Sequence, residues 1–222
     1  MNENSLRSQG FVGGMSTNSF MTKVLPMFSL GLLMTGVGAY FGWNLPSFVL
    51  MIAMLIEFIM VLTSSKWAYA ERGSANAGIF LVFSTLSGMT LVPILKWALA
   101  VSGPGIIVQS LGATVLTFGG LAAYGMITKK DFSGMGSFLF MAVIGLIVAS
   151  LINIFIGGTT LSLIISAISV VIFSAYVLYD MSMIRNNFSD RDFITASLIL
   201  YLDFILLFQN ILQILGIFNS DD

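Results

Sequence analysis

Seven apolar runs, each close to the length a helix needs to cross a bilayer, leave this chain few ways to fold. They cover about 24–43, 46–63, 77–95, 106–127, 135–156, 161–184 and 194–218. A helical crossing takes ~20 residues, whereas a barrel strand takes only ~10 and alternates in polarity. The runs therefore predict an all-α integral membrane protein, a seven-transmembrane-helix bundle in one domain spanning 24–218. A polar tail (1–23) precedes it and a short acidic tail (219–222) follows. The first stretch lacks an apolar core followed by a small-residue cleavage site, so it reads as a retained tail and not a signal peptide.

Composition narrows the chemistry. The chain of 222 residues is 57% hydrophobic and 9% charged, where a soluble domain carries roughly 25% charged residues. It contains no cysteine and no histidine. Disulfides, thiol chemistry, imidazole relays and the usual zinc ligands are thereby excluded, and titratable function falls to carboxylates. The net charge of -1 gives no argument for a nucleic-acid partner.

The basic residues set an expected orientation. Arg7 and Lys23, Lys66 and Arg72, Lys129 and Lys130, and Arg185 and Arg191 fall in the tail and in alternate links. With seven spans these sites share one side, which the positive-inside rule places in the cytoplasm together with the N-terminus. Only Lys96 departs from that pattern. Pro93 is expected to kink or end the third helix near Leu95, and Gly157 with Gly158 to break the fifth from the sixth.

Two acids stand inside this apolar sequence on consecutive helices, Asp180 in YVLYDMSMIR and Asp203 in SLILYLDFILLFQNIL. A charged side chain deep in hydrocarbon costs at least ~2.5 kcal/mol, so such residues face the bundle interior and take a partner. At 1.5 Å per residue, Asp180 lies ~7 Å and Asp203 ~13 Å from the same membrane face, so the two can meet. Two carboxylates in a low dielectric do not readily both ionise, so the pair can share a proton and then separate, or bind a cation, on losing it.

Along the sixth helix Ser162, Ser166, Ser169, Phe173, Tyr176 and Asp180 are spaced by four and three, which puts them on one face. They read either as a polar lining that leads to the acid or, for the serines, as small residues that let helices pack closely. Asn210 extends a stripe from Asp203 on the seventh helix, with Gln209 and Gln213 to its sides, amides that also serve to bridge helices. Glu57 is a third intramembrane acid, placed to line a cation route or to pair with a base. Lys66 and Arg72 are either ordinary interfacial anchors or salt-bridge partners that close the mouth over Asp180.

At these residues the chain resembles the Bax inhibitor family, also called the transmembrane Bax inhibitor motif family, whose bacterial members are short seven-helix proteins. The matching stretches are SGMTLVPI (87–94), KKDFS (129–133), FSAYVLYDMSMI (173–184) and SLILYLDFILLFQNIL (197–212), in order and over nearly the whole chain after the tail. The resemblance implies a calcium-leak channel controlled by pH. It gives Asp180 and Asp203 the role of a hydrogen-bonded pH sensor and gate, and Glu57 that of an implicated second-helix acid. It also implies a latch arginine near the start of the third helix. The link SSKWAYAERG departs from the family's basic cluster, which leaves Arg72 as the latch candidate and Lys66 in reserve.

The function expected is thus a passive, pH-gated calcium leak with the seventh helix at the bundle centre. Calcium would be a permeant ion held weakly and transiently at Asp180 and Asp203, with no tightly bound cofactor. Expected partners are the bilayer, protons and calcium, and the expected location is a bacterial cytoplasmic (inner) membrane. The alternative is a non-conducting regulator that binds other membrane proteins, such as proteases or cell-death factors. An intramembrane hydrolase fits poorly because neither acid sits in a Gly-x-Gly-Asp setting, so no enzyme is expected. A proton-coupled transporter would call for repeats or broken-helix pairs, which the sequence does not offer.

Overall fold

The computed structural model describes residues 15–68 and 74–219, which form helices and turns with no strand among them. The long helices are α1 Thr17–Gly42, α2 Ser47–Leu62, α3 Ser74–Ser102 and α4 Gly105–Ile127. They continue as α5 Gly136–Ile156, α6 Thr159–Asn187 and α7 Phe193–Asn219. Six are long and apolar enough to cross a membrane, and α2 is a shorter apolar helix. The architecture is that of a helical membrane bundle.

Helix ends follow local chemistry. Gly157 and Gly158 have φ of 71° and 119°, a left-handed stretch that ends α5 and restarts the chain as α6. Pro46 lies just before α2, in extended conformation. At the other end of the chain the polar stretch is partly helical: α1 begins at Thr17, inside the segment read as a tail. Ser16 caps this helix by accepting the Ser19 N–H (3.1 Å). Its own N–H and hydroxyl donate to Asp190 at 2.9 and 3.1 Å, which ties the start of α1 to the α6–α7 link.

One boundary differs from expectation. Pro93 lies inside α3 and does not end it; the helix runs on through Lys96 to Ser102. The apolar run breaks at the lysine, yet the sequence beyond it, WALAVS, supports another turn and more. Lys96 stays compatible with the helix because its ammonium lies 5.5 Å from the centroid of the Trp43 ring, a cation–π contact.

α7 is the centre. It packs against α1, α3, α4 and α6, and residues such as Leu200, Tyr201, Leu207 and Leu212 on it are almost wholly buried. α2 leans on α3, and α5 on α6, so both stand outside this inner group. The tightest crossing is that of α1 with α3. A Cβ placed on Gly38 would collide with the Thr85 carbonyl, and one on Gly88 with the Thr35 carbonyl. Backbone meets backbone here, which is how helices gain packing where lipid offers no hydrophobic drive.

Candidate functional site

The acids of α6 and α7 come together. Asp203 is 4% exposed and Asp180 8%, and their side chains are hydrogen-bonding partners. Two carboxyl groups can share such a bond only while one carries the proton. Asp203 Oδ2 has no hydrogen-bond partner among the described residues. A buried polar atom left in that state costs about 1–3 kcal/mol, so the site is held in place by its surroundings against its own preference. Tyr176 stands within electrostatic range of both acids, and its ring lies 6.2 Å from those of Phe173 and Tyr179.

Two residues before Asp203 on α7, Tyr201 belongs to a second polar cluster that ties three helices together. Thr35 Oγ1 lies 2.6 Å from the Tyr201 hydroxyl and donates toward the carbonyls of Gly31 (3.0 Å) and Ser84 (3.2 Å). The Tyr201 ring meets Phe80 and Phe83 edge-on at 5.6 and 5.9 Å. The sequence reading missed this group. A tyrosine two residues before an acid in an apolar helix was a visible signal, but its partner lies 166 positions away.

Glu57, Ser169, Phe173 and Asn210 line a common cleft of about 710 Å³ between α2 and α5, with α7 forming its floor. Glu57 Oε2 accepts the Thr90 hydroxyl at 2.6 Å. Neither Asp180 nor Asp203 lines this cleft, although Leu202, the residue before Asp203, does. Ser166 Oγ donates to Gln213 Oε1 at 2.8 Å, joining α6 to α7. Ser162 accepts from Asn153 Nδ2 (2.8 Å) and donates to Gly158 O (3.1 Å), closing the α5–α6 turn. The stripe on α6 therefore divides: Ser162 and Ser166 bridge elements, while Ser169 and Phe173 line the cleft.

Of the latch candidates, Arg72 lies outside the described residues. Lys66 sits exposed in the single turn Ser64–Trp67 and pairs with no acid among the described residues. A different arginine holds this end of the bundle. Arg185, in the last turn of α6, donates to the carbonyls of Gly125 (3.1 Å), Thr128 and Lys130 (3.0 Å), satisfying the C-terminus of α4. Asp131 beside it accepts from the Ser133 N–H (2.9 Å) and the Ser182 hydroxyl (2.8 Å). These bonds, the backbone one foremost, hold the Asp131 carboxyl down at about 2.

A carboxyl whose folded value lies below its unfolded value, ~3.9, contributes stability above that value and loses it as pH falls. The clamp should therefore weaken between about pH 4 and pH 2. Asp131→Asn is expected to melt below the wild type at neutral pH, with the gap closing as both are acidified through that window. A gap of constant size in thermal melts would show that the charge contributes nothing.

With that geometry established, comparison with known proteins places the chain. It belongs to the family described as inhibitor of apoptosis-promoting Bax1, whose model matches residues 17–220. An uncharacterized membrane protein of Vibrio cholerae is 44% identical over 142 residues, 64% of this chain and 63% of its own length. A Helicobacter pylori protein is 36% identical over 210 residues, covering 92% of this chain and 89% of its own. A Streptococcus pyogenes membrane protein is 33% identical over 234 residues, with 97% and 99% covered. The apolar helices and these bacterial relatives make this an integral membrane protein of the Bax inhibitor type.

Proposed function

We propose that this protein is a seven-span channel of the bacterial cytoplasmic membrane, N-terminus inside, that lets calcium leak passively under proton control at Asp180 and Asp203. One observation carries the reading: two mutually hydrogen-bonded carboxyls buried on neighbouring helices of the bundle core. Loss of the shared proton would set two like charges against each other in a low dielectric. α6 and α7 then separate, or a cation is drawn in.

Calcium suits such a site because it takes carboxylate, carbonyl and amide oxygens. Two carboxylates hold it weakly, and weak binding is what conduction requires. The reading has no tightly bound cofactor, no catalytic step and no nucleic-acid partner. α2, at 16 residues, is ~24 Å long and would count as the seventh span with local thinning of the bilayer. That odd number keeps the basic links on one side.

Calcium flux into proteoliposomes, measured from roughly pH 6 to pH 8 with no energy source, tests the proposal. The wild type is expected to leak in a pH-dependent way, and Asp203→Asn and Asp180→Asn to lose or alter that dependence. A folded wild type that passes no calcium at any pH would end the channel reading. The second reading, a non-conducting regulator of other membrane proteins, would then take its place. It draws support from α5, which packs chiefly on α6 and turns Phe155, 88% exposed, outward.

A further inference from the structure

The cleft between α2 and α5 has a chemistry that gating by the acid pair does not use. Its volume, about 710 Å³, is that of a small-molecule pocket, commonly ~300–1,000 Å³. Its rim is apolar and faces outward: Met54 and Phe58 on α2 are 52% and 60% exposed, Ile147 and Leu151 on α5 55% and 53%. Anything arriving at this rim comes sideways out of hydrocarbon. The inner wall is different. Glu57 and Thr90 stand on one side, and Gln209, Asn210 and Gln213 form the α7 floor.

These polar groups are only partly satisfied from within. Glu57 Oε2 takes the Thr90 hydroxyl, and no lysine or arginine lines the cleft to balance the carboxylate. Asn210 uses its Nδ2 on the Leu206 carbonyl at 2.8 Å, and Gln213 uses its Oε1 on Ser166. Gln209 makes no hydrogen bond among the described residues. Glu57 lies ~15 Å from the α2 N-terminus and ~8 Å from its C-terminus, below the depth of phospholipid headgroups. An acyl chain would cover these groups without bonding them, at a cost for each. A bare inorganic ion would have to approach through the apolar rim.

We infer that this cleft is a binding site for a lipophilic amine, a protonated nitrogen on an alkyl or aryl body, taken up laterally from the bilayer. The ammonium pairs with Glu57 and donates to amide oxygens on the α7 floor. Phe58 and Phe173, both in the lining, supply ring faces to the cation or the body. The apolar rim holds the tail. The inference rests on the cleft alone and stands whether or not ions pass the acid pair.

The test is a titration of a naphthyl-substituted alkylamine into nanodiscs that hold the full chain, with empty nanodiscs as the partition reference. Saturable fluorescence binding is expected, at least about tenfold weaker in Glu57→Gln and for the N-acetylated, uncharged probe on the wild type. Met54→Trp, which fills the cleft and leaves the carboxylate in place, should lose saturable binding while keeping its melting temperature. Binding no greater than in empty discs would overturn the inference, as would full affinity in both variants. Displacement of the probe by calcium chloride as effectively as by unlabelled amine would also overturn it, assigning Glu57 to inorganic cations. Absence of calcium flux in proteoliposomes leaves this binding untouched, so the two readings fail separately.

Discussion

Gly88→Ala should unseat α1 from α3 and be among the most damaging single methyl additions to the described helices. The added carbon meets the Thr35 carbonyl and comes within 2.8 Å of the Ala39 nitrogen. Neither is the end of a flexible side chain. Relief requires the two helices to move apart, and that movement pulls Thr35 off Tyr201 and Ser84. Overpacking of ordinary cores costs about 1–3 kcal/mol, and a backbone collision belongs at or above the upper end. A fall of roughly 10 °C in melting temperature is expected for a chain of this size. Gly38→Ala, facing the Thr85 carbonyl across the same crossing, should behave alike. Gly112→Ala on α4 is the control, since nothing lies within 4 Å of its added carbon. Equal melting of Gly88→Ala and Gly112→Ala in detergent would contradict this account of the crossing.

The second large effect concerns the acids and runs in opposite directions for stability and function. Replacing both at once, Asp180→Leu with Asp203→Leu, removes two buried polar groups, one of which has an oxygen without a partner. Apolar replacement of buried charged or polar clusters is often neutral or stabilising. A gain of about 1–3 kcal/mol is expected from the unsatisfied oxygen and the desolvation of its neighbour. The same double variant should abolish any dependence of calcium flux on pH, because no titratable group then remains in the pair. Asp203→Leu alone leaves Asp180 buried with no acid beside it and should gain less than the double change. A double variant that unfolds more readily than the wild type would mean that the pair holds the bundle together. Its place in a gate would then need another argument.

How much of this was readable beforehand depends on the range of the interactions. Helix positions were legible, because apolar runs and their breakers are local: Gly157–Gly158 and the turn before Pro46 fall where the residues put them. Lys96 misled because a lysine ends an apolar run by count, while in three dimensions Trp43 receives it. The meeting of Asp180 and Asp203 could be anticipated from depth alone, since the short link between α6 and α7 fixes both helices to one side. The tie of Thr35 to Tyr201 could not, because it depends on which helix lies beside α7, and periodicity carries no neighbour list. The division of the α6 serines escaped for the same reason. A small hydroxyl that bridges helices and one that lines a cleft have the same spacing. Arg185 was noticed as a charge, but its carbonyl partners on α4 are set by packing.

The central place of α7 also has a bearing on how the protein is made. It follows the other six long helices in the chain and so leaves the ribosome after them, and yet α1, α3, α4 and α6 are all built around it. Until it arrives, the earlier helices surround a socket in which Thr35, Ser84 and Asp180 lack the partners α7 supplies. The nascent bundle therefore stays incomplete until α7 has been made, and the insertion of α7 is a docking event in place of one more addition to the edge. Delays or lesions in α7 should expose polar faces of the earlier helices to lipid. Completion of the buried contacts among the earlier helices thus waits on α7.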